Sequence, residues 1–339
     1  MSSSITSEYA DLHWHHYRNC EYYKNLSDNI FEPRELNELE DLPYVPAGLF
    51  KKLELKSVPN DEIIKTLISS GTTGQKRSKI FLSAKNAKAQ QKALIEIVIH
   101  ALGASRAPLL VLDTESQLRS PPTLTARSAG ILGFMIFGTK RFFALSDNYD
   151  LDRASLSKFV DIKSKKNKLI YGFTSIIWEE FLQKVDPGAN LMGDQNCILI
   201  HGGGWKKLAD KNITASSFNE AVKSRLGQNI KIFDYYGMVE QTGSIFLGCE
   251  AGYLHTNEYN NILIRNPATL EPVKNGSTGI VQVLSSLAVS YPGSSILTED
   301  LGVIHGNEKC ICGKAGKFFE ILGRLPETEL RGCSNTYER

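Results

Sequence analysis

Four short apolar runs constrain the fold of this chain most. They are Pro108-Leu109-Leu110-Val111-Leu112-Asp113, Lys168-Leu169-Ile170-Tyr171-Gly172, Cys197-Ile198-Leu199-Ile200-His201 and Ile230-Lys231-Ile232-Phe233-Asp234. Each has strand length, and runs apolar on both faces suit parallel strands covered by helices. Helical patterns lie between and around them, at 84–102, 156–160, 176–185 and 215–226. In the first, Leu94, Ile95, Ile97, Val98 and Leu102 recur on one face. Alternating strands and helices predict an α/β domain with parallel sheets covered by helices. Two further stretches also read as strand, the apolar patch Gly130–Phe137 and the region from Ile131 to Ala144. After Gly248 the pattern changes. Ile262-Leu263-Ile264 and Gly279–Leu284 read as antiparallel strands joined by the turns Asn266-Pro267 and Lys274-Asn275-Gly276.

The first fifty residues carry Trp14, Tyr17, Tyr22, Tyr23 and Phe31 and read as short helices ending at Pro43 and Pro46. His13, His15 and His16 have no cysteine or acidic partner at ligand spacing, so a surface or capping role is expected. The chain has 339 residues, 42% of them hydrophobic, and a formal charge of only +2. That balance excludes a basic nucleic-acid footprint. The dense run Lys163–Lys168 reads as a solvated loop. No secretory leader opens the sequence, and no stretch approaches the ~18 apolar residues of a membrane span. A cytoplasmic protein is expected, with its six cysteines as thiols, metal ligands or a nucleophile.

The first candidate site is Ser69-Ser70-Gly71-Thr72-Thr73-Gly74, set between two strand-like stretches within Leu67–Leu82 and followed by Gln75-Lys76-Arg77-Ser78-Lys79. Glycines bring backbone N–H groups close to an anion, hydroxyls donate to phosphate oxygens, and lysines add charge. The spacing is not that of a P-loop. The loop resembles the phosphate loop of the acyl-AMP-forming superfamily, in which Ser, Thr and Gly precede a Lys. With the tail Ser78-Lys79-Ile80, the chain is similar to the acyl-protein synthetases of the bacterial luminescence fatty-acid reductase system, the long-chain-fatty-acid luciferin-component ligases.

That resemblance assigns roles along residues 60–339. Tyr235-Tyr236-Gly237-Met238-Val239-Glu240 is similar to the superfamily's Tyr-Gly-x-Thr-Glu motif, whose aromatic stacks on adenine and whose Glu helps to hold Mg²⁺. A flat ring suits a flat base, and a carboxylate oxygen suits a hard cation. Val239 stands in place of the Thr and removes one hydroxyl. His201-Gly202-Gly203-Gly204-Trp205 ends a strand, where parallel sheets bind ligands. There the glycines would let an adenylate approach, and His201 reads more as a packing or carbonyl contact than as a general base. Leu297–Gly302 resembles the Thr-Gly-Asp motif. Asp300 takes the ribose-binding position, and Glu299 replaces the Gly. Gly323-Arg324 resembles the Gly-Arg that closes the large domain. Lys79 would meet charge developing on the α-phosphate.

Cys249-x5-His255 and Cys310-x-Cys312 offer three thiols and an imidazole, suited to a closed Zn²⁺ site. The pattern resembles a zinc site of phenylacetate-CoA ligase-like proteins, and free thiols are the alternative. Cys20 and Cys197 read as small buried residues. In Glu329-Leu330-Arg331-Gly332-Cys333-Ser334, the resemblance makes Cys333 an acyl-accepting nucleophile, with Arg331 placed to lower its pKa. Only fifteen residues follow Arg324, where acyl-CoA ligases continue into a small domain with a catalytic Lys. The expected organisation is an α/β core with an N-terminal helical region (1–248), a β-rich subdomain (249–324) and a tail (325–339).

The expected function is ATP- and Mg²⁺-dependent activation of a carboxylic, by resemblance fatty, acid to acyl-AMP. Transfer to Cys333 as a thioester and delivery to a partner acyl reductase would follow. The rivals are a ligase that passes the acyl group to CoA or a carrier protein, and a non-catalytic subunit of a reductase complex.

Overall fold

The computed structural model describes residues 2–31, 35–69, 76–103, 106–119, 123–164, 166–203 and 213–325. In chain order, the strands are β1 Val45–Pro46, β2 Ile63–Ile68, β3 Lys79–Ser83, β4 Ala107–Thr114, β5 Thr123–Thr125, β6 Gly138–Leu145, β7 Lys168–Phe173, β8 Cys197–Gly202, β9 Ile230–Tyr236 and β10 Phe246–Gly248. They continue as β11 Leu254–His255, β12 Asn260–Arg265, β13 Thr278–Ser285, β14 Ser295–Gly306 and β15 Phe318–Arg324. The helices are α1 Ser2–Asn19, α2 Glu21–Ile30, α3 Ala84–Leu102, α4 Ala126–Met135, α5 Arg153–Val160, α6 Thr174–Ile176 (continued as a π turn through Phe181) and α7 Ala215–Leu226. The chain forms two compact units. One comprises residues 1–93, 238–246 and 253–339; the other comprises 94–237 and 247–252. The alternation read from the sequence therefore holds, with each of the four apolar runs forming a strand.

In the second unit, the order β9-β8-β7-β4-β6 is parallel throughout. Leu110, Leu112, Ile170 and Leu199 on these strands pack with Phe159, Phe181, Phe218 and Val222 in one buried cluster. The register pairs Phe173 with Gly202 and His201 with Asp234, so the strand ends align. Gly130–Phe137 departs from expectation, because most of it belongs to helix α4. A short buried apolar run does not reveal its period. Here Thr125 accepts a hydrogen bond from Ser128 N and caps a helix, while the strand begins only at Gly138. Lys168 also departs from expectation. It is buried, and its Nζ donates to Phe159 O (2.7 Å) and Val160 O (3.0 Å), which closes the carbonyl end of α5.

In the first unit, β12, β13, β14, β15 and β11 form an antiparallel sheet in that order. Strand β1 pairs in parallel with the start of β14, with Val45 opposite Ile296 and Pro46 opposite Leu297. From Asp300 onward, β14 pairs with β15 instead. Thr298-Glu299 thus lies where β14 changes neighbours. The N-terminal histidines are less exposed than a surface role implies. His13 and His16 are buried, bonded to Tyr23 Oη (2.9 Å) and Ser57 Oγ (2.8 Å). Cys20 and Cys197 are buried as expected. Among the described residues, no helix is long and apolar enough to cross a membrane.

Burial lowers the His16 pKa from the usual 6.5 to about 3 and that of His13 to about 4. Both are neutral in the fold, whereas an unfolded chain takes up their protons below about pH 6.5. Stability is therefore full above that pH and falls on acidification toward the folded values, by up to ~1.4 kcal/mol per histidine per pH unit. Thermal unfolding scans at stepped pH should show this decline, and His16→Asn should make it shallower. Parallel slopes for the two proteins would contradict the assignment.

Candidate active site

Strands β2 and β3 meet at Ile68 and Lys79, and the loop they flank is pinched at its base. Ser69 N donates to Ser78 O (3.1 Å), and Ser78 N donates to Ser69 Oγ (2.9 Å). Ser70, Gly71, Thr72, Thr73 and Gly74 lie outside the described residues, as do Gly204 and Cys333. Lys79 Nζ donates to Glu54 Oε1 at 3.2 Å, with both side chains half exposed.

In the same unit, Glu240 sits on a 3-10 turn, Val239–Gln241, and is buried. Tyr291 Oη donates to Glu240 O (2.8 Å), and Gln241 Nε2 donates to Gly293 O (2.8 Å), so the turn is clamped. Burial raises the Glu240 pKa, while Ser78 and Lys51 work against that shift and Glu299 adds to it. Ser78 Oγ is itself buried and makes no hydrogen bond of ordinary length, yet it lies near enough to favour the ionised carboxylate. A buried carboxylate has the oxygen donors that Mg²⁺ prefers.

Asp300 and Arg324 face each other across β14 and β15. Arg324 Nε lies 3.6 Å from Asp300 Oδ1, and Arg324 Nη1 donates to Glu299 Oε2 at 3.1 Å. Thr298 Oγ1 donates to Val281 O (2.8 Å) and accepts from Asp300 N (3.1 Å). The sequence placed Glu299 only as a substitute for Gly. Its ion pairs to Arg324 and to Lys51 (3.7 Å) were not legible there, because β1 joins β14 across some 250 residues of chain.

The second unit carries the aromatic and glycine motifs. Tyr171 Oη and Tyr235 Oη are 3.0 Å apart, and Phe134 stacks on Tyr171 at 4.1 Å. A Cβ on Gly202 would fall 2.4 Å from the Tyr235 ring. Gly203 has φ +92°, and its Cβ would fall 2.5 Å from Phe173. These glycines therefore let aromatic rings rest on the backbone. Burial raises the Tyr235 pKa to about 12, so the phenol stays protonated. Tyr236 is half-buried. His201 is buried against the Phe218 ring, bonded through Nδ1 to Thr174 Oγ1 (2.9 Å), and burial lowers its pKa to about 3. That is a packed neutral imidazole. One pair escaped the sequence reading altogether. Asp113 is wholly buried and takes two hydrogen bonds from Arg127, at 2.7 and 2.5 Å.

Of the four candidate zinc ligands, His255, Cys310 and Cys312 lie in the first unit with their ligand atoms within 4.8 Å of one another. Cys312 Sγ is 3.5 Å from His255 Nε2. Burial lowers the His255 pKa to about 4, which keeps the imidazole neutral, as metal ligation requires. The separations suit a tetrahedral ion bound at about 2.0–2.3 Å. Cys249 is buried and lies in the second unit.

Solved structures show what class of fold this is. An open form of 2-hydroxyisobutyryl-CoA ligase, in complex with 2-HIB-AMP and CoA, superposes with a TM-score of 0.70 at 16% identity, over 99% of this chain and 80% of that one. A postadenylation form with 2-HIB-AMP gives 0.69 at 18%, over 96% and 68%. The fold is that of the adenylate-forming ligases. The family model for acyl-protein synthetase, LuxE, matches residues 5–339, and the chain belongs to that family. It is thereby an acid–thiol ligase. The long-chain-fatty-acid–luciferin-component ligase of Vibrio harveyi is 24% identical over 336 residues, 94% of this chain and 83% of that protein. The one from Aliivibrio fischeri is 21% identical over 329 residues, 94% and 84%.

Adding a methyl at Gly202 should displace the Tyr235 ring. Gly202→Ala should destabilise the protein by about 1–3 kcal/mol in denaturant unfolding. Tyr235→Ala should cost less in the Gly202→Ala background than alone, as coupled neighbours do. Additive losses would show that the two do not touch.

Proposed function

We propose that this enzyme activates a carboxylic acid with Mg·ATP to an acyl-adenylate and then carries the acyl group on Cys333. One observation carries the first half. Glu240, the Ser69–Ser78 base of the phosphate loop and the Asp300–Arg324 pair, far apart in sequence, belong to one compact unit. There Ser78 and Glu299 act electrostatically on Glu240, and Glu299 bonds to Arg324. Glu240 would hold Mg²⁺, which on binding screens the phosphate charge and favours attack at the α-phosphorus. Asp300 would accept hydrogen bonds from ribose hydroxyls, with Arg324 keeping its carboxylate oriented. N–H groups and hydroxyls of Ser69–Gly74, with Lys79, would contact the phosphates.

In the first step, a carboxylate oxygen bonds to the α-phosphorus and the bond to pyrophosphate breaks. In the second, the Cys333 thiolate bonds to the acyl carbon and AMP leaves with the bonding pair. Arg331 nearby in sequence favours the thiolate. The names of the Vibrio and Aliivibrio relatives support a long-chain fatty acid as substrate, and a partner acyl reductase would take the acyl group from Cys333. A cytoplasmic setting suits free thiols. His255, Cys310 and Cys312 would hold a structural Zn²⁺, and the neutral His255 beside Cys312 supports this.

Acid-dependent exchange of pyrophosphate into ATP tests the first step. Glu240→Gln should lower exchange at least about a hundredfold, the scale of losing a charge-stabilising group. Cys333→Ala should exchange normally but form no stable acyl-protein with labelled acid. An acylated Cys333→Ala protein, or free acyl-CoA as its product, would favour transfer to CoA or a carrier protein. No exchange with any acid would point to a non-catalytic subunit.

Metal analysis of the purified protein should find about one zinc per chain. Cys310→Ser/Cys312→Ser should remove it and lower Tm. Zinc-free wild-type protein that keeps its Tm would refute the site.

A further inference from the structure

We propose that Lys51 contacts the phosphates of bound nucleotide, and that Glu299 is the acceptor it leaves to do so. This rests on the reading of the Glu240 site as the place where Mg·ATP binds. It adds a cation that no motif in the sequence marks.

The placement follows from strand pairing. Strand β1 runs parallel to β14 up to Pro46 and Leu297. The chain then turns into a 3-10 helix, Ala47–Lys51, while β14 runs on through Thr298, Glu299 and Asp300. The two segments leave one register side by side. Gly48 lies close enough that a Cβ there would be 3.8 Å from Glu299 Oε1, and Lys51 Nζ lies 3.7 Å from the same oxygen.

A second anchor ties this helix to the carboxylate. Phe50 is 1% exposed and packs edge-on against the Tyr291 ring at 6.2 Å. Tyr291 is the residue whose hydroxyl clamps the Glu240 turn. One buried aromatic pair therefore sets both the height of Lys51 and the position of Glu240. The electrostatics agree, since Lys51 favours the ionised form of Glu240.

The Lys51 contact is also easily exchanged. At 3.7 Å, with the lysine side chain 42% exposed, the ion pair with Glu299 is loose, and such pairs contribute little. Glu299 is shared with Arg324, which holds it more closely at 3.1 Å. A triphosphate presents more negative charge than a shared carboxylate, and Lys51 can change acceptors with little loss. Lys79, by contrast, is paired with Glu54 at 3.2 Å.

Binding of Mg·ATP and of adenosine to the full chain, by calorimetry without acid, tests this. Lys51→Ala should weaken Mg·ATP by about tenfold or more while leaving adenosine affinity and Tm unchanged, as loss of a charge-assisted phosphate contact would. Lys51→Arg should retain most of the ATP affinity. Glu299→Gln should strengthen ATP binding, because the competing acceptor is neutralised. Lys51→Ala binding ATP within about twofold of wild type, or losing ATP and adenosine equally, would overturn the proposal. If wild-type protein binds no ATP at all, the reading of the site fails instead.

Discussion

A buried carboxylate is the constraint on which the candidate site turns. Glu240 is 7% exposed. Removing such a charge from water is unfavourable by several kcal/mol unless donors or cations replace the lost hydration. The fold answers with a buried hydroxyl at Ser78, with Lys51, and with a turn whose Glu240 carbonyl accepts from Tyr291 and whose Gln241 side chain donates to Gly293 O. Those partners reduce the penalty without removing it, so the pKa stays raised. A divalent cation would complete the compensation. The clamps keep the carboxylate from escaping to solvent instead.

The second unit solves a different problem. Its parallel strands end in large rings, Phe173, Tyr235 and, beneath them, Tyr171 stacked on Phe134. Rings of that size fit at strand ends only where the neighbouring backbone has no side chain. Gly202 and Gly203 meet that need, and so does Gly130, whose Cβ would lie 2.6 Å from Tyr171 Oη. The glycines after β8 therefore have a packing reason that stands independently of any ligand. That sharpens what a substitution there means, because lost activity would follow from displaced rings as readily as from a lost nucleotide contact.

Local pattern carried much of this into the sequence. Strands β4, β7, β8 and β9 show as apolar runs, and α7 was legible to its ends because Thr214 caps it and Gly227 follows it. Where pattern failed, a tertiary partner decided. Gly130–Phe137 is apolar enough for strand or helix, and the Thr125 cap settled it. Lys168 belongs to a basic run, yet it found two carbonyls at the end of α5 and became buried. The loop, the Tyr-Gly-x-x-Glu segment and the Asp300 and Arg324 motifs could be named from resemblance because each is a contiguous run, whereas the pairing of Asp300 with Arg324 depends on β14 meeting β15. Lys51 was not, since its meaning depends on the β1–β14 pairing.

The replacement of Gly by Glu at 299 follows from that same pairing. A glycine between Thr298 and Asp300 would remove one carboxylate from the junction of β1, β14 and β15. Lys51 and Arg324 would then approach one another around Asp300 with only one carboxylate between them. Glu299 lies between them, accepting a hydrogen bond from Arg324 through Oε2 and pairing loosely with Lys51 through Oε1. Like charges so arranged repel less when a carboxylate lies between them. Glu299 also repels Glu240, so the residue that organises the cations raises the cost of an ionised Glu240. On the proposed reading, a polyphosphate would draw Lys51 away from Glu299 and a metal ion would offset the charge on Glu240, which would relieve that conflict. Local charge conflict of this kind belongs where a ligand is expected to resolve it.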